Sequence, residues 1–141
     1  MSAYIPVELR QQIHALDQHC CAYCQSAEAL LGVTFEIEHI IPISLGGVTA
    51  LSNLCLSCPS CNRYKSNRLR AHDAETDADA ALFHPRQQEW RDHFVWIDEA
   101  TRVKGLTQTG RATLTALQIN RPVMVQLRRY WTVLHLHPPV W

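Results

Sequence analysis

The residues best suited to chemistry are four cysteines in two pairs, Cys21 with Cys24 and Cys58 with Cys61. Each pair has the Cys-x-x-Cys spacing of a zinc knuckle, and two knuckles can place four thiolates in a tetrahedron around Zn²⁺. Four protein ligands leave no open position for water or substrate, so the pattern predicts a structural zinc site. The alternative is that these are ordinary buried apolar cysteines.

Between the two pairs lie residue types suited to metal-dependent hydrolysis. Cleavage of a phosphodiester needs an activated water, positive charge on the phosphate and help for the leaving oxygen. A neutral His39 imidazole can accept the water's proton near pH 7. The Glu38 carboxylate and the Asn62 carbonyl suit Mg²⁺ or Mn²⁺. Adjacent strand residues face opposite sides, so Glu38 and His39 can share a site only where the strand ends, at 40–42.

A run of positive charge follows the second cysteine pair. It consists of Arg63, Lys65, Arg68 and Arg70, and it predicts a phosphate-contacting face beside the expected metal. The alternative is a solvated helix surface. Over the whole chain 13 acidic and 13 basic residues balance, which counts mildly against a nucleic-acid binder, although local clusters matter more than the sum.

Composition also bears on the setting of the protein. No stretch approaches the roughly 18 apolar residues that a membrane span needs, and residues 1–6 lack the pattern of a secretory signal. We therefore expect a cytoplasmic protein without membrane association. In a reducing compartment, paired cysteines are more plausibly metal ligands than disulfides.

The elements that must position these residues are predicted to be of the α+β class. Helical spacing of apolar residues predicts a helix over 6–18. Alternation predicts a strand over 33–39 with Val33, Phe35 and Ile37 facing inward, and a second strand over 54–56 that carries Cys55 inward. A tight turn at 58–61 then leads into a helix over 62–70.

The second half of the chain is expected to extend this core. Residues 72–79 are acidic and weakly patterned, which indicates a linker or a fraying helix end. A β-hairpin is predicted from the segments 90–97 and 102–106. Two helices should follow, one capped by Thr107 or Thr109 and one opening near Pro122. We thus expect a core over 1–71 and an extension over 80–141 packed on it.

The motifs CxYC, EHIIP, GG, NL and CxxCNxxK, in this order over about residues 18–70, resemble the HNH endonuclease family with its ββα-metal fold. The resemblance implies that His39 is the general base and that Asn53 orients the loop bearing it. It also implies that Glu38 and Asn62 hold the catalytic cation. Glu38 stands where the family often has Asp. The implied substrate is DNA, often double-stranded.

The tail, with its motifs at 82–86, 90–94, 105–107 and 110–113, resembles that of some bacterial stand-alone HNH proteins. This likeness assigns no chemistry to the tail, and its aromatic residues are expected to be core. Its six arginines could extend the phosphate-binding surface or pair with acids: Arg86, Arg91, Arg111, Arg121, Arg128 and Arg129. The rival interpretations of the whole chain are a catalytically silent zinc module that binds nucleic acid or protein, and a zinc redox switch.

Overall fold

The structure, a computed structural model, describes residues 4–140 and is of the expected mixed α+β type. Its three two-stranded antiparallel sheets are formed by neighbouring strands in the described part of the chain. Within 4–140, no helix is both long and apolar enough to cross a bilayer.

The chain begins with helix α1, Val7–Leu16, which follows Pro6 and buries Ile13. This agrees with the helix predicted over 6–18. A short helix α2, Glu28–Leu31, lies beyond the first cysteine pair. Asp17, at the end of α1, accepts a hydrogen bond from the backbone amide of Leu56 at 2.8 Å and so ties α1 to the second strand.

The central unit is a hairpin followed by a helix. Strand β1, Glu36–His39, pairs with β2, Leu54–Ser57, and His39 lies opposite Leu54 at the end of the ladder. Two 3₁₀ turns, Ile43–Leu45 and Leu51–Asn53, lie in the loop between the strands. Helix α3, Pro59–Lys65, follows directly. The predicted order of strand, loop, strand and helix is confirmed.

Helix α3 begins and ends earlier than expected. It begins at Pro59, since proline suits the first helical turn, and the Cys58 sulfur accepts a hydrogen bond from the Cys61 amide. It ends at Ser66, whose φ of 54° lies in the left-handed region. The helix expected over 62–70 therefore stops five residues early.

The inward face of β1 also differs from the prediction. Val33 is 49% exposed and Phe35 is buried before the strand begins, whereas Glu38 is the buried residue of the strand itself. Alternation predicts that the apolar residues of β1 face inward. The Glu38 carboxylate can occupy the inward face because its ion-pair partner, Lys65, is buried with it. The predicted burial of Cys55 on β2 is confirmed.

Residues expected to form a linker instead form a hairpin. Strand β3, Arg70–Asp73, pairs with β4, Ala78–Ala81. The Asp73 carboxylate accepts hydrogen bonds from the Glu75 amide and the Thr76 hydroxyl, and these contacts organise the turn. The linker prediction for 72–79 is wrong. Strands were expected to show alternating apolar residues, and these short acidic strands do not show that alternation.

The remaining elements follow the predicted order, but the strand expected over 90–97 is wrong in its first half, because residues 90–93 form a helix. Helix α4, Trp90–His93, leads into a hairpin of β5, Phe94–Ile97, and β6, Arg102–Gly105. Helix α5, Gln108–Ala116, is capped by the Thr107 hydroxyl, which accepts from the Gly110 amide. Helix α6, Pro122–Val133, closes the fold.

The hydrophobic core runs without interruption from the first half of the chain into the second. Trp90 donates from its indole nitrogen to the Tyr23 carbonyl at 2.8 Å. Arg86 forms a largely buried ion pair with Asp17 at 2.6 Å. Phe94 and Ile119 belong to the same cluster as the cysteines. Residues of the extension thus bury part of the surface of the hairpin-and-helix unit.

Candidate metal centre and active-site cleft

The four paired cysteines converge on one point in the protein interior. The sulfur atoms of Cys21, Cys24, Cys58 and Cys61 lie within 4.8 Å of one another, and all four residues are buried. A thiolate set of this number and spacing fits a tetrahedral zinc ion. The four cysteines are therefore positioned to hold a metal. Cys20 and Cys55 are buried outside this group.

The first knuckle is held by backbone hydrogen bonds. The Cys21 amide donates to the Ser26 carbonyl at 2.9 Å, and the Ala22 amide donates to the Leu56 carbonyl of β2 at 2.8 Å. Gln25 takes a positive φ of 63° as the chain turns back. The second knuckle lies where β2 enters α3, so the hairpin itself brings the two pairs together.

The environment of the sulfurs favours a bound cation. Cys24 Sγ lies 3.9 Å from Cys58 Sγ and 3.2 Å from the Ser26 hydroxyl. Hydrogen bonds from the other three cysteines hold the pKa of the Cys24 thiol well below its ordinary value, whereas burial raises the pKa of Cys21. Four buried thiolates together would repel one another strongly, and a divalent ion removes that repulsion.

His39 opens into a surface cleft at the end of β1. The cleft has a volume of about 500 Å³, and its walls include His39, Glu38, Asn62, Arg10 and Ser44. His39 Nε2 lies 2.8 Å from the Thr49 hydroxyl, which fixes the ring orientation. Partial burial lowers the pKa of His39 below 6.5, so the neutral imidazole predominates at pH 7.

Asn53 holds the loop that follows His39. Its side-chain oxygen accepts from the Ile41 amide at 2.8 Å, and its side-chain nitrogen donates to the carbonyls of Ile41 at 3.0 Å and Val48 at 2.9 Å. The Asn53 carbonyl also accepts from the Ile40 amide at 2.8 Å. Asn53 therefore fixes both ends of the loop and does not line the cleft.

Gly47 is required by a close approach within the same loop. A Cβ atom at this position would lie 1.7 Å from the Ile41 carbonyl oxygen and 2.9 Å from Asn53 Nδ2. Only glycine fits between them. Gly46 meets no such obstacle, but its φ of 91° favours glycine for conformational reasons.

Glu38 forms a buried ion pair with Lys65. Lys65 Nζ lies 3.0 Å from Glu38 Oε1 and donates to the Ile40 carbonyl at 2.8 Å. Burial raises the pKa of Glu38, while the Lys65 ammonium opposes that shift. Lys65 is only 1% exposed. Its expected role at a DNA phosphate disagrees with this position, because the helix turns it inward to neutralise Glu38.

Glu36 was not singled out from the sequence, yet it contacts an expected site residue. The Asn62 side-chain amide donates to the Glu36 carboxylate across the gap between α3 and β1. Residues two apart on a strand share a face, so the acid pair in Glu36-Ile37-Glu38 could have identified it. The exposed Glu36 and the half-buried Asn62 together offer oxygen ligands of the kind that Mg²⁺ or Mn²⁺ prefers.

The other three residues of the basic run are exposed. Arg63 lies on α3, Arg68 lies after it, and Arg70 lies on β3. Arg68 donates to the carbonyls of Tyr64 and Ala116, and Arg70 donates to that of Asp79, so both side chains are oriented by neutral partners. Arg10, on α1, is a further cation at the cleft that sequence reasoning missed.

Four cysteines that could hold a metal ion lie beside a hairpin-and-helix unit of mixed α+β structure, with a histidine at the end of its first strand. The sequence model of the HNH endonuclease family matches residues 21–68, from the first knuckle to just beyond α3. The match covers about a third of the chain, and it suggests nuclease-type activity for the matched segment. Searches of curated proteins and of solved structures give no significant match.

Proposed function

We propose that the protein is a metal-dependent endonuclease that hydrolyses phosphodiester bonds of DNA. The observation that carries this proposal is that His39, at the end of β1, and Asn62, on α3, line one cleft inside the segment that matches the HNH family. Such a cleft combines a neutral base with an oxygen ligand for a hard cation.

His39 is the proposed general base. With its pKa below 6.5, the ring is neutral at pH 7 and can take a proton from water that attacks the phosphorus. Thr49 orients the ring, and the hydrogen bonds of Asn53 hold the loop between residues 41 and 48. Asn53 is thus a positioning residue, because it acts through the loop and not on the substrate.

The proposed ligands of the catalytic cation are Asn62 and a carboxylate of β1. A bound Mg²⁺ or Mn²⁺ would neutralise the phosphate and stabilise the leaving alkoxide. Glu38 is the first candidate, since it precedes His39 and lines the same cleft, but binding would require it to leave Lys65. Glu36 is the second candidate, because its exposed carboxylate already contacts Asn62.

Zn²⁺ is the proposed occupant of the four-cysteine centre, and its role there is structural. The centre fixes the end of β2 and the start of α3, and α3 carries Asn62 next to the strand that bears His39. The proposed DNA-binding surface consists of Arg10, Arg63, Arg68 and Arg70, which present positive charge to phosphates. Double-stranded DNA is the proposed form of the substrate.

Nicking of supercoiled plasmid tests the proposed activity. The wild-type protein with Mg²⁺ or Mn²⁺ should convert the plasmid to open-circular or linear forms, and His39→Ala should not. His72→Ala is the matched control, since His72 is an exposed histidine on β3, outside the cleft. Failure of the wild type with both metals, or equal cutting by His39→Ala, would favour the silent zinc module.

Binding of Mn²⁺, followed by electron paramagnetic resonance, identifies the carboxylate ligand without relying on cleavage. Asn62→Ala should weaken Mn²⁺ binding. If Glu38 is the ligand, Glu38→Gln should weaken it as well, while Glu36→Gln should not. The reverse result would assign the cation to Glu36. Glu99→Gln, in the exposed turn between β5 and β6, is the control for nonspecific loss of negative charge.

A further inference from the structure

The unexplained feature of the fold is a fully buried arginine on the last helix. Arg128, on α6, has 0% of its surface exposed. Its guanidinium donates to the carbonyls of Ile119 at 2.8 Å and Thr101 at 3.2 Å, and to Asn120 Oδ1 at 3.4 Å. All three acceptors are neutral. Within 4–140, Arg128 has no carboxylate partner, and its Nε has no hydrogen-bond partner.

A buried cation of this kind needs a negative charge nearby. Arginine is almost never fully buried unless it is paired, because removing a charge from water is costly. Neutral carbonyls and the Trp96 ring, whose centroid lies 5.5 Å from the guanidinium carbon, recover only part of that cost. Arg86, which is also largely buried, is by contrast paired with a carboxylate, that of Asp17.

The negative charge in this part of the core belongs to the cysteine centre. Four thiolates and one Zn²⁺ leave two negative charges, all within the hydrophobic interior. A continuous set of contacts leads from Arg128 to the centre. The guanidinium lies over Trp96, whose ring is 5.3 Å from that of Trp90, and Trp90 donates to the Tyr23 carbonyl inside the first knuckle.

The electrostatics of the guanidinium are consistent with this arrangement. Burial lowers the pKa of Arg128, and the negative charges of Cys24, Cys61 and Cys58 act against that shift. These sulfurs are the acidic groups that favour the charged form of Arg128. Among residues 4–140 the other buried lysine or arginine is Lys65, and it is already paired with Glu38.

We propose that Arg128 is the counter-charge of the zinc–thiolate centre, supplied by the C-terminal helix. The inference rests on the proposed zinc ion. It assigns α6 a direct part in metal retention, since removal of the positive charge leaves the two negative charges of the centre uncompensated in the core.

Three variants separate the charge of Arg128 from its hydrogen bonds. Arg128→Gln keeps donors for the carbonyls but removes the charge, and Arg128→Lys keeps the charge with fewer donors. Arg129→Gln removes an exposed arginine from the next position of α6 and is the matched control. Zinc affinity is measured by chelator competition on the full chain, together with zinc content per chain.

Arg128→Gln should weaken zinc binding by about 10–100-fold, the usual effect of removing a group that supports metal ligands. Arg128→Lys should keep most of the affinity, and Arg129→Gln should match the wild type. Equal affinities for Arg128→Gln and Arg128→Lys would overturn the proposal. A wild-type chain that binds no zinc would instead refute the proposed zinc centre itself.

A second background keeps the inference testable if Arg128→Gln does not fold. Cys58→His lowers the negative charge of the centre by one. If charge is the link, Arg128→Gln should cost less zinc affinity and less thermal stability in the Cys58→His background than in the wild type, and a variant that fails to fold in the wild-type background should fold and bind zinc in the Cys58→His background. If Arg128 acts only through packing, its replacement should cost the same in both backgrounds, and the counter-charge role is then excluded.

Discussion

Replacement of Asn53 by alanine should weaken both stability and cleavage, and the structure gives the size of each effect. The side chain of Asn53 makes three hydrogen bonds, to the Ile41 amide, the Ile41 carbonyl and the Val48 carbonyl, and the residue is 5% exposed. Each buried bond of this type contributes about 1 kcal/mol. The loss should therefore be about 3 kcal/mol, which is a fall in Tm of about 10 °C for a chain of this size.

The effect on cleavage follows from the loop that Asn53 holds. Without those bonds, the chain that follows His39 is no longer fixed relative to β2, so the base moves from its position. A displacement of about 1 Å in a catalytic group typically costs about 100-fold in rate. Mn²⁺ affinity should stay unchanged, because Asn62 and the β1 carboxylates lie on other elements.

Asn120→Ala is a matched control for this experiment. Asn120 clasps the amide and carbonyl of Val103 at 2.8 Å each, much as Asn53 clasps those of Ile41, but it lies outside the cleft. Its loss should cost about 3 kcal/mol by the same reasoning, since its Oδ1 also accepts from Arg128 at 3.4 Å, and cleavage should be unaffected at a temperature where both variants are folded and hold zinc. If the two variants cut DNA equally well, the positioning role of Asn53 is wrong.

Three further predictions concern the same site. Gly47→Ala should lower the Tm and abolish plasmid nicking, since its Cβ would meet the Ile41 oxygen at 1.7 Å; wild-type nicking by this variant would contradict the close approach. The pH profile of kcat/KM should rise with pH through a midpoint below 6.5 and then level off, because burial lowers the pKa of the base His39; a midpoint above 6.5 would count against it. Lys65→Met should lower the free energy of unfolding by about 3–5 kcal/mol, as it leaves Glu38 buried without a partner, and Lys65→Met with Glu38→Gln should recover much of the loss in denaturant unfolding.

The sequence predicted those features that depend on local spacing. Two knuckles define the cysteine centre because the residue types and the interval leave few other interpretations. Alternation and turn residues predicted the hairpin of β1 and β2 and that of β5 and β6, but not which residue of β1 is buried or the helix at 90–93. The site residues Glu38, His39, Asn53 and Asn62 remain proposals, although the structure places His39 and Asn62 at one cleft.

What the sequence did not predict depends on partners distant along the chain. Burial of Glu38 depends on Lys65, which lies 27 positions later. The residue pattern of β1 alone does not reveal that pair. The hairpin of β3 and β4 is supported by the ion pair of Asp73 with Arg111 on α5, at 3.0 Å. For Arg128 the sequence predicts contact with phosphate or pairing with an acid, and the structure shows neither, because a helix pattern alone does not show which charged residue the core will enclose.

The position of Arg128 has a consequence for the order of events during synthesis. The last sulfur ligand, Cys61, is made 67 residues before Arg128, so the nascent chain carries a complete set of ligands long before the counter-charge exists. On the proposed role of Arg128, zinc captured at that stage should be held by an unfinished site and should exchange more readily than in the folded protein. Tight retention of zinc should therefore be acquired late, when α6 packs. A ribosome-stalled chain that lacks this helix should lose its zinc sooner than the complete chain does.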